Sequence, residues 1–136
     1  LYFLNKKNIE NIDIFATSLR RRQSLLENFK FKNFTNKTTL LKKRYDLIIN
    51  ASNAGMSNGN KINRNILRLV KQTKGVIDIV YSPLETDLLK EAKKHNIRSL
   101  GGLIMLVEQA KPSFETWSKK SIEIDDKIYQ LLISKI

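Results

Sequence analysis

The stretch Val76-Ile-Asp-Ile-Val-Tyr-Ser-Pro-Leu-Glu-Thr86 decides how this chain folds. Val76 to Tyr81 is an apolar, β-branched run of the kind that forms strands, and Pro83 stops it because proline cannot donate to a sheet ladder. Thr86 then reads as a helix N-cap, with Asp87 at the positive end of the helix dipole. The helix carries Leu88, Leu89 and Ala92 and gathers Lys93 and Lys94 in its last turn. His95-Asn96 closes it, asparagine tolerating a left-handed cap. Ile97-Arg-Ser-Leu100 is a further short strand. Strand, helix, strand in this order is a βα repeat, and βα repeats build parallel sheets.

The same alternation extends outward. Tyr45-Asp-Leu-Ile-Ile-Asn50 reads as a buried strand that ends in a polar, glycine-containing loop, and Ile62 to Lys71 as the helix after it. Upstream, Ile12-Asp-Ile-Phe15 is a strand and Leu19 to Phe29 an amphipathic helix. Leu1 to Asn8 is expected to be the last two turns of a helix that starts in a longer chain, since the first residue is leucine and not methionine. Downstream, Gly101-Gly102 opens a helix from Leu103 to Ala110. Ser121 to Ile136 is predicted to be a terminal amphipathic helix, with Ile124, Ile128, Leu131 and Leu132 on one face.

Composition limits the function classes. The chain has 136 residues and 41% hydrophobic residues, enough for one core. It has no cysteine, which excludes a disulfide scaffold, a thiolate metal site and a cysteine nucleophile; a single histidine excludes a histidine-rich metal site. No apolar run approaches the roughly 20 residues of a membrane span, so a cytoplasmic location is expected. The net charge is +12. Residues 1–74 hold 16 Lys/Arg against 4 Asp/Glu, and residues 75–136 hold 9 against 9, so the whole excess lies in the first half. A basic half suits nucleic acid, a phosphorylated cofactor or an acidic partner domain.

Three segments have the residue types and positions for ligand chemistry. Asn50-Ala-Ser-Asn-Ala-Gly-Met56 directly follows a strand, and open parallel sheets bind ligands beyond the carboxyl ends of their strands. Its small residues allow close approach, and its amides and hydroxyls suit ribose or phosphate; an ordinary strand-to-helix turn reads equally well. Ala16-Thr-Ser-Leu-Arg-Arg-Arg22 follows the first strand, where a dinucleotide site reads the adenosine ribose. An NAD site wants a carboxylate there. This segment has none, and offers Thr17, Ser18 and Arg21 near a helix N-terminus, which suits a 2′-phosphate; a solvated basic helix face is the competing reading. Gly102 and Gln109, seven residues apart, share one helix side, and Tyr81 ends a strand on the same expected edge. His95 reads as a surface residue, and Phe114 with Trp117 as a packing pair.

Together these segments resemble the C-terminal NADP-binding domain of shikimate dehydrogenases over roughly residues 9–120. The family pattern Asp-x-x-Tyr-x-Pro-x-x-Thr matches Asp78 to Thr86, and Gly-Leu-Gly-Met-Leu-x-x-Gln matches Gly102 to Gln109 except that Ile104 replaces its second glycine. Phe114-Glu-Thr-Trp117 is similar to the family's Phe-x-x-Trp, and Asn50 to Met56 to its Asn-Ala-Thr/Ser-x-x-Gly-Met loop. The resemblance implies a Rossmann-like, doubly wound parallel α/β sheet that is incomplete here, lacking the first strand and the Gly-rich pyrophosphate loop. It implies a partial NADP-binding domain over residues 1–120, with residues 121–136 as a C-terminal helix packing on or near it.

The resemblance also implies roles. Tyr81 and Gln109 would contact shikimate, Ile79 and Gly102 the nicotinamide end of NADP, and Asn50 and Ala51 the cofactor loop. Thr17, Ser18 and Arg21 would occupy the clasp for the 2′-phosphate; Ser18 and Arg21 fit its pattern, whereas Ala16 and Thr17 replace its asparagine and first arginine. The catalytic lysine and aspartate would belong to an N-terminal substrate domain outside this chain, so this chain alone is expected to be inactive. The implied activity is NADPH-dependent reduction of 3-dehydroshikimate to shikimate in aromatic amino-acid (chorismate) biosynthesis. The expected partners are the small-molecule substrate, the N-terminal substrate domain and a second copy in a homodimer, with no membrane and no nucleic acid. The rival readings are a quinate/shikimate dehydrogenase-like oxidoreductase, a non-catalytic remnant, and a basic nucleic-acid-binding domain.

Overall fold

The computed structural model describes residues 6–7, 9, 11–16, 33–34 and 37–135. The chain divides into two compact units, Leu1–Lys43 and Arg44–Ile136. In the first unit, β1 (Asp13–Ile14) pairs in parallel with β2 (Asn33–Phe34), Asp13 opposite Asn33 and Ile14 opposite Phe34. The helix α1 (Lys37–Leu40) follows. Lys43 donates to both carboxylate oxygens of Asp13, at 2.8 and 3.0 Å, tying the end of the unit back to β1. The strand expected over 12–15 is present in shortened form. The predicted helices 1–8 and 19–29 lie outside the described residues, apart from a few positions at the chain start.

The second unit contains β3 (Leu47–Asn50), α2 (Arg64–Val70), β4 (Gly75–Asp78), α3 (Asp87–Lys94), β5 (Arg98–Leu100), α4 (Gly102–Ser118) and α5 (Asp126–Ile133). Its sheet has the order β3-β4-β5, all parallel, with Leu47 opposite Gly75 and Gly75 opposite Arg98. One face of the sheet is closed. Ile62, Val70, Val76, Leu88, Leu89 and Ala92 form the core, with Ile48, Ala54, Ile66, Leu67 and Ile97 packed around it. Leu88, Val70 and Val76 are completely or almost completely buried, worth about 1.5–3 kcal/mol each.

The opposite face is open, and this corrects the sequence reading of 45–50 as a buried strand. Leu47 and Ile49 are 45% and 40% exposed and Leu100 is 50% exposed, because the alternate residues Ile48, Val76 and Ile97 are the ones packed on the core. The shallow depression on this face is lined by Asp46, Leu47, Lys74, Ile77, Arg98 and Leu100 and lies towards the strands' amino ends. Parallel sheets bind ligands at the other end.

Local rules explain most of the boundaries. Thr86 caps α3 by accepting from the Leu89 amide, and Asn96 takes the left-handed conformation with φ 53° after the C-cap His95, as the sequence predicts. Two predicted helices change length. The helix expected to stop at Ala110 runs on to Ser118 through Pro112, which removes one backbone hydrogen bond without ending the helix. Thr116 donates to the Pro112 carbonyl at 2.7 Å, and Lys119 ends the helix with φ 55°. The terminal helix begins only at Asp126, capped by Asp125, because Ser121 and Ile122 are held by the Glu115 carboxylate in an extended link. Phe114 and Trp117 are 46% and 83% exposed, so neither belongs to the buried core.

Candidate functional site

The carboxyl ends of β3 and β4 and the start of α4 form one hydrogen-bonded junction. Asp78, the last residue of β4, is completely buried. Burying a carboxylate costs several kcal/mol unless donors surround it, and three do so here. Its Oδ1 accepts from Asn50 Nδ2 at 2.9 Å and from the Val80 amide at 3.1 Å; its Oδ2 accepts from Thr86 Oγ1 at 2.7 Å. Thr86, equally buried, passes the connection on by capping α3. A carboxylate suits this position because it accepts several bonds at once and charge-assisted bonds are the stronger kind.

Asn50 transmits the junction to the loop after β3. Its Nδ2 also donates to the Ala54 carbonyl at 2.9 Å, and its Oδ1 accepts from Ser52 Oγ at 2.7 Å and the Ser52 amide at 3.3 Å. The Asn50 side chain is therefore fully used within the protein. The Asn50 carbonyl accepts from the Ile79 amide at 3.1 Å, joining the loop to β4 a second time. Gly55 has φ 93°, a conformation that glycine adopts without strain, and its amide donates to Asn60 at 2.7 Å to fold the loop back. Ala51, Ser52 and Asn53 remain exposed at the sheet edge.

Beyond β4 the chain turns through a cis Ser82–Pro83 peptide. Ile79 is half-buried, whereas Tyr81 is 41% exposed. The Gly102 amide donates to the Val80 carbonyl at 3.2 Å, docking the first turn of α4 on this segment. Gly102 is buried there, and a Cβ on it would overlap the Ile79 carbonyl oxygen. Gln109, two turns along, is exposed, as is Ile104. Among the described residues neither Tyr81 nor Gln109 has a side-chain hydrogen bond, so both polar ends are available. Next to the junction, Glu85 accepts from Lys93 at 3.0 Å, and this bond holds its exposed carboxyl below the ordinary range.

Of the residues singled out in the sequence, Asn50, Ala51, Ile79, Tyr81 and Gly102 thus lie on connected segments at one end of the sheet, and Gln109 follows on α4. Thr17, Ser18 and Arg21 lie outside the described residues. Asp78 and Thr86 were legible as motif members and Thr86 as a cap, but their joint role was not. A usable signal existed: an aspartate between isoleucines on the buried side of an apolar strand demands partners, and a threonine eight residues on can be one. Among the described residues there is no cluster of metal-ligating side chains, and no helix is long and apolar enough to cross a membrane.

No family model matches the chain. It is 35% identical over 125 residues to the shikimate dehydrogenase (NADP(+)) of Bartonella quintana, covering 86% of this chain and 42% of that protein. It is 32% identical over 119 residues to the enzyme of the same name from Methanococcus maripaludis, covering 87% of this chain and 41% of that one. Among solved structures, a chorismate mutase/shikimate 5-dehydrogenase fusion protein from Clostridium acetobutylicum superposes with a TM-score of 0.78 at 28% identity, over 98% of this chain and 48% of that chain. A shikimate dehydrogenase in complex with NADP+ gives a TM-score of 0.66 at 29% identity, over 92% of this chain and 46% of that chain. The chain spans about two fifths of the curated relatives, matching their C-terminal part. With the parallel Rossmann-like sheet in agreement, the chain matches the C-terminal part of shikimate dehydrogenases in both sequence and fold.

Proposed function

We propose that this chain is the cofactor half of an enzyme that reduces 3-dehydroshikimate to shikimate with NADPH, in the pathway to chorismate and the aromatic amino acids. The observation that carries the reading is the junction itself. Asp78, Tyr81, Thr86, Gly102 and Gln109, the motif members shared with that family, surround or extend from one buried carboxylate at the ligand-binding end of the sheet.

The residues present fit the nicotinamide end of the cofactor. The edge offers small, exposed Ala51, Ser52 and Asn53 for close approach and hydrogen bonding, and half-buried Ile79 as an apolar wall, with no carboxylate exposed between 50 and 55 to repel phosphate. Asn50 would shape that loop and Gly102 would let α4 come close enough for Ile79 and Gly102 to border the ring. Thr17, Ser18 and Arg21 would clasp the adenosine 2′-phosphate. When bound, NADPH supplies the hydride for the ketone carbon of the substrate. The chain's own contribution is orientation. Tyr81 and Gln109 would hydrogen-bond substrate oxygens and fix the ketone beside the cofactor edge. The proton for the ketone oxygen would come from a lysine–aspartate pair outside this chain.

The exposed residues of the loop after β3, Ala51, Ser52 and Asn53, are uncharged and offer no cation to a nucleic-acid backbone. The test is a split in kinetic constants in the full-length protein. Tyr81→Phe and Gln109→Ala should each raise KM for shikimate by roughly 2- to 12-fold, the value of a lost hydrogen bond of about 0.5–1.5 kcal/mol, and leave KM for NADP+ nearly unchanged. The reverse pattern would move both residues to the cofactor side.

A further inference from the structure

We infer that Asp78 is a positioning residue that sets the cofactor loop and the substrate segment in one register, and does so through a single buried carboxylate. The inference rests on the functional reading above. Each side of the site reaches Asp78 by a short path. On one side, Asn50 Nδ2 bonds both Asp78 Oδ1 and the Ala54 carbonyl, so the carboxylate fixes the side chain around which residues 50–54 fold. On the other, the same Oδ1 holds the Val80 amide, whose own carbonyl receives the Gly102 amide and whose neighbour is Tyr81. The second oxygen, Oδ2, holds Thr86, which caps α3 and closes the turn that contains Tyr81.

The carboxylate is wholly buried, so it is not placed to touch substrate or cofactor. Its effect must pass through its neighbours. A core position needing only stability would be filled better by an apolar residue, because a buried charge gains little net energy even when well paired. What the charge provides instead is geometry. One oxygen takes two donors from two different segments, and moving either segment costs a bond to a charged acceptor. The loop after β3 and the segment after β4 therefore shift together or not at all.

The test uses the full-length protein with Asp78→Asn, Thr86→Val and Thr86→Ser. Asp78→Asn keeps the shape but loses the acceptor for Thr86 and the charge on the bonds to Asn50 and Val80. It should raise KM for both NADP+ and shikimate, each by roughly 10- to 100-fold, the range for a hydrogen bond to a charged group. Thr86→Val should act in the same direction, and Thr86→Ser, which keeps the hydroxyl, should restore wild-type values. Amide hydrogen exchange supplies a readout free of activity. In Asp78→Asn, amides at 51–56 and 80–82 should exchange faster together, with 47–49 in β3 unchanged. Lower thermal stability with both KM values and the loop exchange unchanged would make Asp78 a purely structural residue and overturn the inference. A wild-type protein without shikimate-dependent activity would overturn the functional reading instead, while the exchange pattern would still decide whether Asp78 couples the two segments.

Discussion

Gly102 packs directly on the carbonyl of Ile79, with no space between α4 and the end of β4 for a side chain. An alanine Cβ would also lie 2.7 Å from the Val80 carbonyl carbon. Because the obstacle is backbone, relief requires moving the whole first turn of α4. Overpacking of this kind costs about 1–3 kcal/mol, more than the roughly 1 kcal/mol alanine gains over glycine in helix propensity. Gly102→Ala should therefore lower the thermal midpoint by several degrees, roughly 3–10 °C, measured by circular dichroism. An unchanged or higher midpoint would contradict the close packing.

The cofactor preference follows from the segment after β1. No carboxylate stands at 16–22 to bond a ribose 2′-hydroxyl, and in the proposed reading Arg21 would bind a 2′-phosphate. Arg21→Glu replaces attraction by repulsion for NADP+ and leaves NAD+ without a phosphate to repel. KM for NADP+ should rise by roughly tenfold or more, the value of a charge-assisted bond, with NAD+ altered far less. Equal changes for both cofactors would remove Arg21 from the clasp.

Glu115 gives a pH prediction. The Ile122 amide donates to its carboxylate at 3.1 Å and the Ser121 hydroxyl at 3.2 Å, and the backbone bond is the main cause holding its pKa below the ordinary value. A carboxyl with a lowered folded pKa contributes stability that is present above its unfolded pKa and is lost as pH falls through the folded one. The turn joining α4 to α5 should thus be intact at neutral pH and loosen only in acid below the normal glutamate range. A carboxyl-carbon NMR titration should place the Glu115 midpoint below the ordinary glutamate value. A midpoint at or above it would show that the Ile122 bond does not form in solution.

The parts of the fold legible in the sequence are those set by local chemistry. Thr86, Asn96 and the runs at 45–50, 76–81 and 97–100 act within a few residues, and the structure has the cap, the left-handed residue and strands within or overlapping those runs, at Leu47–Asn50, Gly75–Asp78 and Arg98–Leu100. The pairing of Asn33–Phe34 with Asp13–Ile14 was not legible, because a two-residue strand in a lysine-rich stretch has no periodicity. The extension of α4 past Pro112 escaped for a different reason: proline removes one hydrogen bond in a helix of 17 residues, and the remaining ones carry the helix through. The exposure of Leu47 and Ile49 could not be read from apolar content, since only packing decides which face of a strand is covered. In the candidate site, the motif positions were visible from spacing, whereas the full use of the Asn50 side chain and the burial of Asp78 emerge only when β3 and β4 lie side by side.

The most direct test of the central claim is the initial rate of NADP+ reduction by the full-length protein with shikimate, compared with NAD+ and with quinate. The account predicts shikimate-dependent reduction with the highest kcat/KM for the NADP+ and shikimate pair. Absence of any shikimate-dependent reduction, or a clear preference for NAD+ or quinate, would contradict it.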